Sequence, residues 1–394
     1  MGMLHDVAVV GYGQTRFAEN FDMDYFDMVI EATYKALDDA RLGPEDVDAG
    51  WLGTCYAYSY NTEGNAGTSL AEPLALDIPV TRVSNYCTTG MDAIRNAAFA
   101  VGAGECEAAL VVGVEKMRDV EPRGSLVAQH VGLGHPLYAK GRSAPGMFAL
   151  MANRYREVYG NPRKAMTAVA VKNHFNGSLN PLAHFQSRIE PQRVHSSPMI
   201  ADPLTLYDCC PTTDGAAAVV LMRADAARRH KLNRYAVIKG MGLAVTNGYF
   251  SAQFNSSWDF LGFSATREAA RKAYAQAGIV SPYKEVDVAE CHDCFTITEI
   301  INYEDLGFCE RGQGTRFVLE GESSLTGKLP VNTSGGLKAQ GHPIGASGVR
   351  MVGNIYEQLL ERCGPRQVNG ARTGLAHTLG GPGSVSCVMV LAGA

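Results

Sequence analysis

Long apolar segments are missing from this 394-residue sequence, in which no run approaches the ~18 residues of a bilayer-spanning helix. Blocks of five or six basic residues are missing too, and the formal net charge is −5, so the sequence has no electrostatic footprint for nucleic acid. The start, Met1 to Asp6, lacks the charged and apolar segments of a secretion signal. We therefore expect a cytoplasmic protein that binds neither membranes nor nucleic acid.

Cysteine is not dense: ten are spread along the whole chain. Small secreted domains held by disulfides have many more per residue, so we interpret these as reduced thiols, most of them small buried hydrophobes. Apolar residues make up 46% of the sequence and charged residues 19%, which allows a large core and excludes extended disorder. One or two of the cysteines are left as candidates for chemistry.

An internal repeat organises the chain. Residues 31–40 and 268–277 both have the periodicity of an amphipathic helix, and each precedes a proline-containing turn and a Val-Asp pair. Each copy then enters a short apolar strand that ends in a loop bearing cysteine, at Cys55 and at Cys291. Alternating strands and helices predict an α/β fold with largely parallel sheets, and two copies predict a pseudo-twofold arrangement. Chance similarity between alanine-rich helices is the alternative.

One stretch, residues 118–205, has no counterpart in the second copy and is rich in His, Arg, Asn and Pro. We interpret it as an inserted loop domain, a common location for a substrate surface. The predicted domains are an N-terminal half of residues 1–117 plus 206–230, the insertion at 118–205, and a C-terminal half of residues 231–394.

Cys87 stands where a predicted strand ends and a predicted helix begins. Free amides and the dipole at such a terminus stabilise an anion, so we expect a lowered thiol pKa and a larger fraction of nucleophilic thiolate. The small residues Thr88, Thr89 and Gly90 leave room for a substrate. The alternative is a structural cysteine that happens to begin a helix.

His342 lies in a glycine-rich loop, Gly341 to Gly348. A histidine held in such a loop suits a base for a thiol or a donor to an oxyanion. A phosphate cradle is disfavoured because the Lys-Ser/Thr pair that follows the glycines in a nucleotide-binding loop is absent. An ordinary turn histidine is the alternative.

The string Cys291-His292-Asp293-Cys294 is a Cys-x-x-Cys. It could be half of a zinc site, but no second Cys or His pair follows at a suitable spacing, and no His follows for haem attachment. A redox role stays open. We favour a loop at a strand end that presents His292 and Cys294 to a site.

A second glycine-rich loop runs from His377 to Gly383 and includes Gly380. Consecutive glycines allow backbone amides to point at a ligand oxygen, as an anion hole requires. A plain turn is the alternative.

Taken together, these segments resemble the thiolase family over essentially the whole chain, and the His-Asp-Cys-Phe loop resembles the sterol-carrier-protein type. The residues that carry the resemblance are Asn85 to Cys87, Asp214 to Ala217, His292 to Phe295, Asn332 to Gly336, and Gly341 to Pro343 with the glycines that follow. The resemblance implies two duplicated βαβαβαββ halves in an α-β-α-β-α layered arrangement, with an inserted loop domain.

The resemblance also implies roles for single residues. Cys87 is the expected nucleophile that holds the acyl group, and His342 is expected to activate it. His292 is expected to complete an anion hole with His342, while the Cys87 amide and an amide near Gly380 form a second one. Cys294 is the expected acid/base. Its alternative is His377, which stands where the more common thiolases have a second catalytic cysteine.

The implied reaction is CoA-dependent cleavage, or Claisen formation, of a 3-oxoacyl-CoA through an acyl-Cys87 intermediate. Three rivals stay open. A condensing synthase of the same fold would pair Cys87 and His342 with Asn332. A thiolase-like retro-aldol lyase would lack the nucleophilic cysteine, and a non-catalytic subunit of a complex would need none of these side chains.

The expected cofactor is coenzyme A, as a substrate, without a metal or redox group. Its phosphates could meet basic residues of the insertion such as Arg123, Arg142, Arg154 or Lys172. The expected partners are a second copy of the chain, as a dimer or a dimer of dimers with the nucleophile near the dimer face, and a small zinc-ribbon/OB-fold protein.

Overall fold

A computed structural model describes residues 7–57, 63–121, 143–232, 234–246 and 259–394. Its strands are β1 Val7–Gln14, β2 Ala49–Gly53, β3 Val80–Val83, β4 Ala108–Glu115, β5 Met199–Ala201, β6 Leu204–Thr205, β7 Gly215–Arg223, β8 Ala236–Val245, β9 Val288–Glu290, β10 Thr373–Gly380 and β11 Val385–Gly393. Its helices are α1 Tyr25–Ala40, α2 Thr68–Ala71, α3 Thr89–Ala103, α4 Ala144–Tyr159, α5 Arg163–Ser178, α6 Pro191–His195, α7 Ala224–Arg229, α8 Ser264–Ala277, α9 Pro282–Glu285, α10 Thr296–Asp305, α11 Gly314–Leu319, α12 Gly336–Gln340 and α13 Ile344–Leu359.

The central sheet has the strand order β3-β2-β4-β7-β1-β8-β11-β10-β9. Reading outward from its middle, the order β1-β7-β4-β2-β3 in the first half is matched by β8-β11-β10-β9 in the second. In the second half, Val331 stands in the position that β3 has in the first. Val331 forms a parallel bridge with Ala289 of β9, just as β3 pairs in parallel with β2. The halves meet where β1 pairs with β8. The duplicated α/β fold predicted from the repeat is confirmed.

Strand direction differs from the prediction of a largely parallel sheet. The strands β7 and β11 run antiparallel to both of their neighbours, whereas β2 pairs in parallel with β3 and β4, and β9 with β10. The cause is local in the second half, where only the short turn Gly381–Gly383 joins β10 to β11. A connection of that length can form only an antiparallel hairpin.

Helices sandwich the sheet in the expected layers. The helix α1 packs on β1 and β7, and α8 packs on β8 and β11. The helices α3 and α13 pack on each other, and α13 also packs on strands of both halves. Helical periodicity in the sequence predicts apolar stripes that include Ile94 in α3 and Val352 in α13, and both residues are fully buried. In the described residues, no helix is both long and apolar enough to cross a bilayer.

The sequence of the insertion has helical patches at Met147 to Tyr159 and at Pro162 to His174, and the structure confirms them as the helices α4 and α5. Its helix α5 packs against α10, α11 and α12 of the second half. The domain boundaries themselves stay a prediction.

Glycines set the distance between α3 and α13. A Cβ on Gly90 would lie 2.7 Å from the Gly345 carbonyl oxygen, and a Cβ on Gly348 would lie 2.5 Å from the Met91 amide nitrogen. Such contacts are too short for any side chain, so the helices cross backbone against backbone. The glycines after His342 therefore serve close packing. Because α3 begins just after Cys87 and α13 just after His342, this crossing brings the two segments together.

Candidate active site

One cavity, of about 760 Å³ with its open mouth, contains five of the six site residues predicted from the sequence. Those five are Cys87, His292, Cys294, His342 and Gly380. The other lining residues are mostly aromatic or aliphatic: Tyr56, Tyr86, Ser143, Ala144, Met147, Phe148, Cys210, Phe295, Ile344, Leu379 and Gly381. Segments distant in sequence thus converge on one apolar pocket with few polar groups, the usual form of a small-molecule site.

Cys87 lies between β3 and α3, directly after Tyr86, whose φ of 49° turns the chain sharply at this point. Apolar neighbours, including Met117 and Ile344, pack around the thiol. This burial raises the pKa of Cys87 well above its ordinary value, and Cys55 raises it further. The expected lowering of the thiol pKa is therefore wrong, because loss of hydration outweighs the helix terminus. The resting thiol is protonated, and its reactivity requires a base.

Among the described residues, His342 has one ring nitrogen bonded and the other free. Its Nδ1 lies 2.7 Å from the Ser347 hydroxyl, and that hydroxyl donates its only proton to the Pro343 carbonyl oxygen at 2.8 Å. Ser347 must therefore accept the Nδ1 proton, which leaves a lone pair on Nε2. That Nε2 is buried without a hydrogen-bond partner. Burial lowers the pKa of His342 to about 3, so the imidazole is neutral.

His292 follows β9 and lies beside His342, with ring centroids 5.2 Å apart and ring planes nearly perpendicular at 86°. The Asn302 side chain holds its loop by donating to the His292 carbonyl oxygen at 2.7 Å. The Nδ1 atom of His292 is buried without a hydrogen-bond partner among the described residues. Burial also lowers the pKa of His292 well below its ordinary value. The Cys87 sulfur and one ring nitrogen of each histidine all lie within 4.8 Å of one another.

Cys294 lies in the same cavity and is 7% exposed. Its sulfur is 3.9 Å from the Thr298 hydroxyl, and its carbonyl oxygen accepts the Cys210 amide at 2.9 Å. Burial raises the pKa of this thiol well above 9, so it holds a proton at rest. Cys210, which sequence reasoning did not select, also lines the cavity, and only its position beside Thr212 to Asp214 hinted at this.

His377 does not line the cavity. Its Nδ1 accepts the His292 amide at 3.4 Å, and its Nε2 lies 3.1 Å from Thr266 and 3.2 Å from Ser386. The side chain thus supports the backbone of His292 from behind. This placement favours Cys294 over His377 as the acid/base.

Gly380 lies against the nucleophile. A Cβ at this position would stand 2.9 Å from the Cys87 amide nitrogen and 2.8 Å from the Tyr86 Cβ. Only a glycine allows the chain to pass this close to the Cys87 amide.

Comparison with known proteins agrees with this geometry. Residues 7–225 match the family model "Thiolase, N-terminal domain", and residues 242–393 match "Thiolase C-terminal domain-like". The chain belongs to the thiolase family. An acetyl-CoA acetyltransferase of Methanothermobacter thermautotrophicus is 37% identical, with 98% of this chain and 99% of the relative covered. Human sterol carrier protein 2 is 35% identical over 97% of this chain and 71% of its own length.

Solved structures share the fold. The structure named "Ltp2-ChsH2(DUF35) aldolase" has a TM-score of 0.83 at 24% identity, covering 99% of both chains. Human mitochondrial 3-ketoacyl-CoA thiolase in complex with CoA has a TM-score of 0.73 at 18% identity, covering 100% of both. The thiolase resemblance and the thiolase fold are thus confirmed.

A buried carboxylate that sequence reasoning missed supports the nucleophile side of this thiolase. Glu115, at the end of β4, accepts the amides of Cys55, Tyr56 and Gly345 at 2.9–3.0 Å. It therefore ties a loop of the first half to the start of α13 in the second. The sequence signal for Glu115 was its position as the charged residue that ends the apolar strand β4.

A second network supports the histidine side. Asp293 accepts the Leu337 amide at 2.6 Å and the Asn173 side chain at 2.7 Å, so it joins its loop to α12, which leads to His342. Asn332 accepts the Cys291 amide at 2.9 Å and donates to Glu299 at 2.8 Å. Asn332 does not line the cavity and is not placed to act with Cys87.

Lys172 and Arg154, two of the basic residues considered for CoA phosphates, do not line the cavity. Lys172 forms a salt bridge with the buried Glu299 at 2.8 Å, and Arg154 pairs with Glu157 at 2.7 Å. Arg123 and Arg142 lie outside the described residues.

Proposed function

We propose that this thiolase is an acyl-CoA C-acyltransferase that cleaves a 3-oxoacyl-CoA, or forms one, through a thioester on Cys87. The observation that carries the proposal is the convergence of a protonated thiol and a neutral imidazole with a free Nε2 on one cavity. A second thiol, that of Cys294, lies on the same cavity. A nucleophile, its base and a separate acid are the three groups that this reaction needs.

In the first step, the Cys87 thiol gives its proton to His342 Nε2 while the sulfur attacks the keto carbonyl carbon. The carbonyl electrons move to oxygen. When the carbonyl re-forms, the Cα–Cβ bond breaks and its electron pair leaves on the enolate of an acyl-CoA. Cys294 protonates that carbon and becomes a thiolate. CoA then gives its thiol proton to the Cys294 thiolate as its sulfur attacks the thioester, and Cys87 leaves with the proton held on His342. In the synthetic direction, the Cys294 thiolate removes the same proton.

Two anion holes stabilise the oxygens. The Cys87 amide, left open by Gly380, faces the oxygen of the acyl group, and His292 with protonated His342 faces the enolate oxygen. Removing one such donor typically lowers kcat by about 10²–10³-fold. The apolar lining keeps these charges out of bulk water, where the enolate would be protonated early.

The rival reactions fit less well. A synthase that used Asn332 would need this side chain in the cavity, and it is instead bonded to Glu299. A lyase without a nucleophile would not need Cys87 beside a base, and a non-catalytic subunit would not need the assembled cavity.

Two interactions extend the proposal. We infer a homodimer through β3, because β3 is the outermost strand of the sheet and its residues Thr81 and Arg82 are exposed. An unpaired edge strand can pair with a second copy, and Cys87 follows this strand directly. We also keep the small zinc-ribbon/OB-fold partner as a proposal, supported by a fold relative that was solved with ChsH2(DUF35). Size-exclusion chromatography with light scattering tests the dimer, and co-purification from the native source tests the partner.

Intact-protein mass spectrometry after incubation with a panel of 3-oxoacyl-CoAs tests the main proposal. We expect a covalent acyl adduct on the wild type, none on Cys87→Ala, and an unchanged adduct on Cys309→Ala, a half-buried thiol outside the cavity. Persistent acyl transfer in Cys87→Ala would refute the proposal.

A second variant separates acylation from carbon–carbon chemistry. Cys294→Ala is expected to acylate from a simple acyl-CoA thioester at a near-normal rate. It should lose at least ~10²-fold in 3-oxoacyl-CoA cleavage, because the carbanion has no acid. Unchanged cleavage would remove Cys294 from the mechanism.

A further inference from the structure

Three potential ligand atoms in the cavity form a compact group. The Cys87 sulfur and one nitrogen each from His292 and His342 lie within 4.8 Å of one another. His292 Nδ1 and His342 Nε2 are both buried without a hydrogen-bond partner in the described part of the chain. Unpaired buried nitrogens are uncommon in folded proteins, and each one calls for a ligand or a functional reason.

The surroundings of His342 resemble the second shell of a metal-binding histidine. A ligating imidazole usually donates its other N–H to an oxygen, which fixes the tautomer and turns the free nitrogen toward the ion. Here Ser347 accepts the Nδ1 proton at 2.7 Å and is itself fixed by Pro343. On the other side, His377 and Asn302 hold the backbone of His292.

We propose that Cys87, His292 and His342 form a binding site for a single thiophilic divalent cation, with Zn²⁺ as the best fit, and that its occupancy blocks acylation. One sulfur and two imidazole nitrogens suit Zn²⁺ and exclude Mg²⁺ and Ca²⁺, which select oxygen ligands. No Asp or Glu lines the cavity among the described residues, so no hard ligand competes. This inference rests on the proposed role of Cys87.

The geometry needs only a small adjustment. Zinc–sulfur bonds of about 2.3 Å and zinc–nitrogen bonds of about 2.0 Å place tetrahedral ligands ~3.3–3.6 Å apart. Side-chain rotations of Cys87, His292 and His342 that move each ligand atom by roughly an ångström bring the three atoms to these distances. The fourth position faces the open cavity and takes water. On binding, the metal–sulfur bond replaces the S–H bond and the proton leaves to solvent.

The consequence is mutual exclusion. The sulfur lone pair that attacks the carbonyl is the one that binds the ion, and the imidazole that accepts the thiol proton is also a ligand. An acylated Cys87 cannot bind the ion, and a loaded site cannot be acylated.

Cobalt substitution tests the site directly, since Co²⁺ takes the same ligands and absorbs light. Titration of metal-free wild type with Co²⁺ should give one equivalent of a complex with visible d–d bands and a near-ultraviolet sulfur-to-cobalt band. Cys87→Ala should lose the near-ultraviolet band, and His292→Ala and His342→Gln should each weaken binding at least tenfold. Cys309→Ala should titrate as the wild type. Circular dichroism spectra and melting temperatures equal to those of the wild type exclude misfolding of these variants.

The proposal is overturned if wild type takes up no stoichiometric ion, or if Cys87→Ala retains the sulfur-to-cobalt band. A second measurement preloads the protein with one equivalent of Zn²⁺, removes the excess, and follows acylation by mass spectrometry. Acylation should fall at least tenfold and recover after chelation. An unchanged rate would also overturn the proposal.

Failure here can be distinguished from failure of the proposed function. An acyl adduct on chelator-treated protein without cobalt binding would refute the metal site alone. Cobalt bound through sulfur without any adduct from the acyl-CoA panel would refute the acyltransferase assignment alone.

Discussion

Ser347 accepts the Nδ1 proton of His342 across 2.7 Å while donating to the carbonyl oxygen of Pro343. One hydroxyl thereby decides which nitrogen of the histidine carries its proton. Because the hydroxyl returns to a carbonyl four residues earlier in α13, the helix itself fixes the tautomer. The free lone pair on His342 Nε2 thus follows from a serine that does not line the cavity.

Ser347→Ala removes the acceptor that holds the tautomer. We expect kcat to fall about 10–100-fold with little change in KM, because the base is then misoriented in part of the population. Steady-state kinetics measures this. Ser178→Ala is the matched control, since that hydroxyl also donates to a helix carbonyl, at 2.7 Å, but outside the cavity. Equal kinetics in Ser347→Ala and wild type would contradict the assignment.

Alkylation of Cys87 should report its raised pKa. Burial favours the neutral thiol, so thiolate accumulates only as the pH rises past the ordinary value near 9. We expect the second-order rate with iodoacetamide, followed by peptide mass spectrometry at residue 87, to increase through pH 9 without levelling. A plateau below pH 8 would instead indicate a lowered pKa.

Gly380→Ala would place a methyl group 2.9 Å from the Cys87 amide nitrogen. We expect acylation to slow at least ~10²-fold because the amide can no longer face the developing oxyanion. Stopped-flow acylation from a simple thioester is the measurement. At Gly393 an added Cβ meets nothing closer than 3.5 Å, so Gly393→Ala should acylate normally. A normal rate in Gly380→Ala would argue against an anion hole there.

Asp208 anchors the Cys209–Cys210 segment through both oxygens to Arg163, at 2.7 Å each, and accepts Thr296 at 2.7 Å. Burial alone would raise the pKa of Asp208, but the Arg163 bonds outweigh it and lower the pKa. A depressed folded-state pKa contributes stability above the unfolded value of ~3.9, and that contribution is lost as the pH falls below it.

We therefore expect Asp208→Asn to lower the free energy of unfolding at pH 7 by about 2–4 kcal/mol, since it leaves a partly buried guanidinium unpaired. The difference from wild type should shrink below about pH 4. Urea denaturation at several pH values measures it, with the exposed Asp77→Asn as control. A difference that stays constant from pH 7 to pH 3 would contradict the linkage.

Sequence reasoning succeeded where a local pattern carries the information. The buried stripe of Ile94 and its neighbours in α3, and that of Val352 in α13, could be read from helical period alone. Motif and resemblance also selected five residues that line one cavity, because the thiol, the two histidines and the second cysteine occur in short, recognisable strings.

What sequence reasoning missed depends on contacts between distant segments. The direction of β7 is set by its pairing with β1 and β4, which are both distant in sequence. The raised pKa of Cys87 comes from apolar neighbours such as Ile344, which outweigh the helix terminus. Glu115 acquires its role only when amides from residue 55 and residue 345 meet at one carboxylate.

The glycine-lined crossing of α3 and α13 has one further consequence. Cys87 precedes a helix of the first copy, and His342, the base that we propose for it, precedes the corresponding helix of the second. Neither copy alone holds both members of the pair. If the chain were cut between residues 223 and 236, the two fragments would have to reassociate before any turnover. The proposed catalytic pair therefore forms only where the two repeats contact each other.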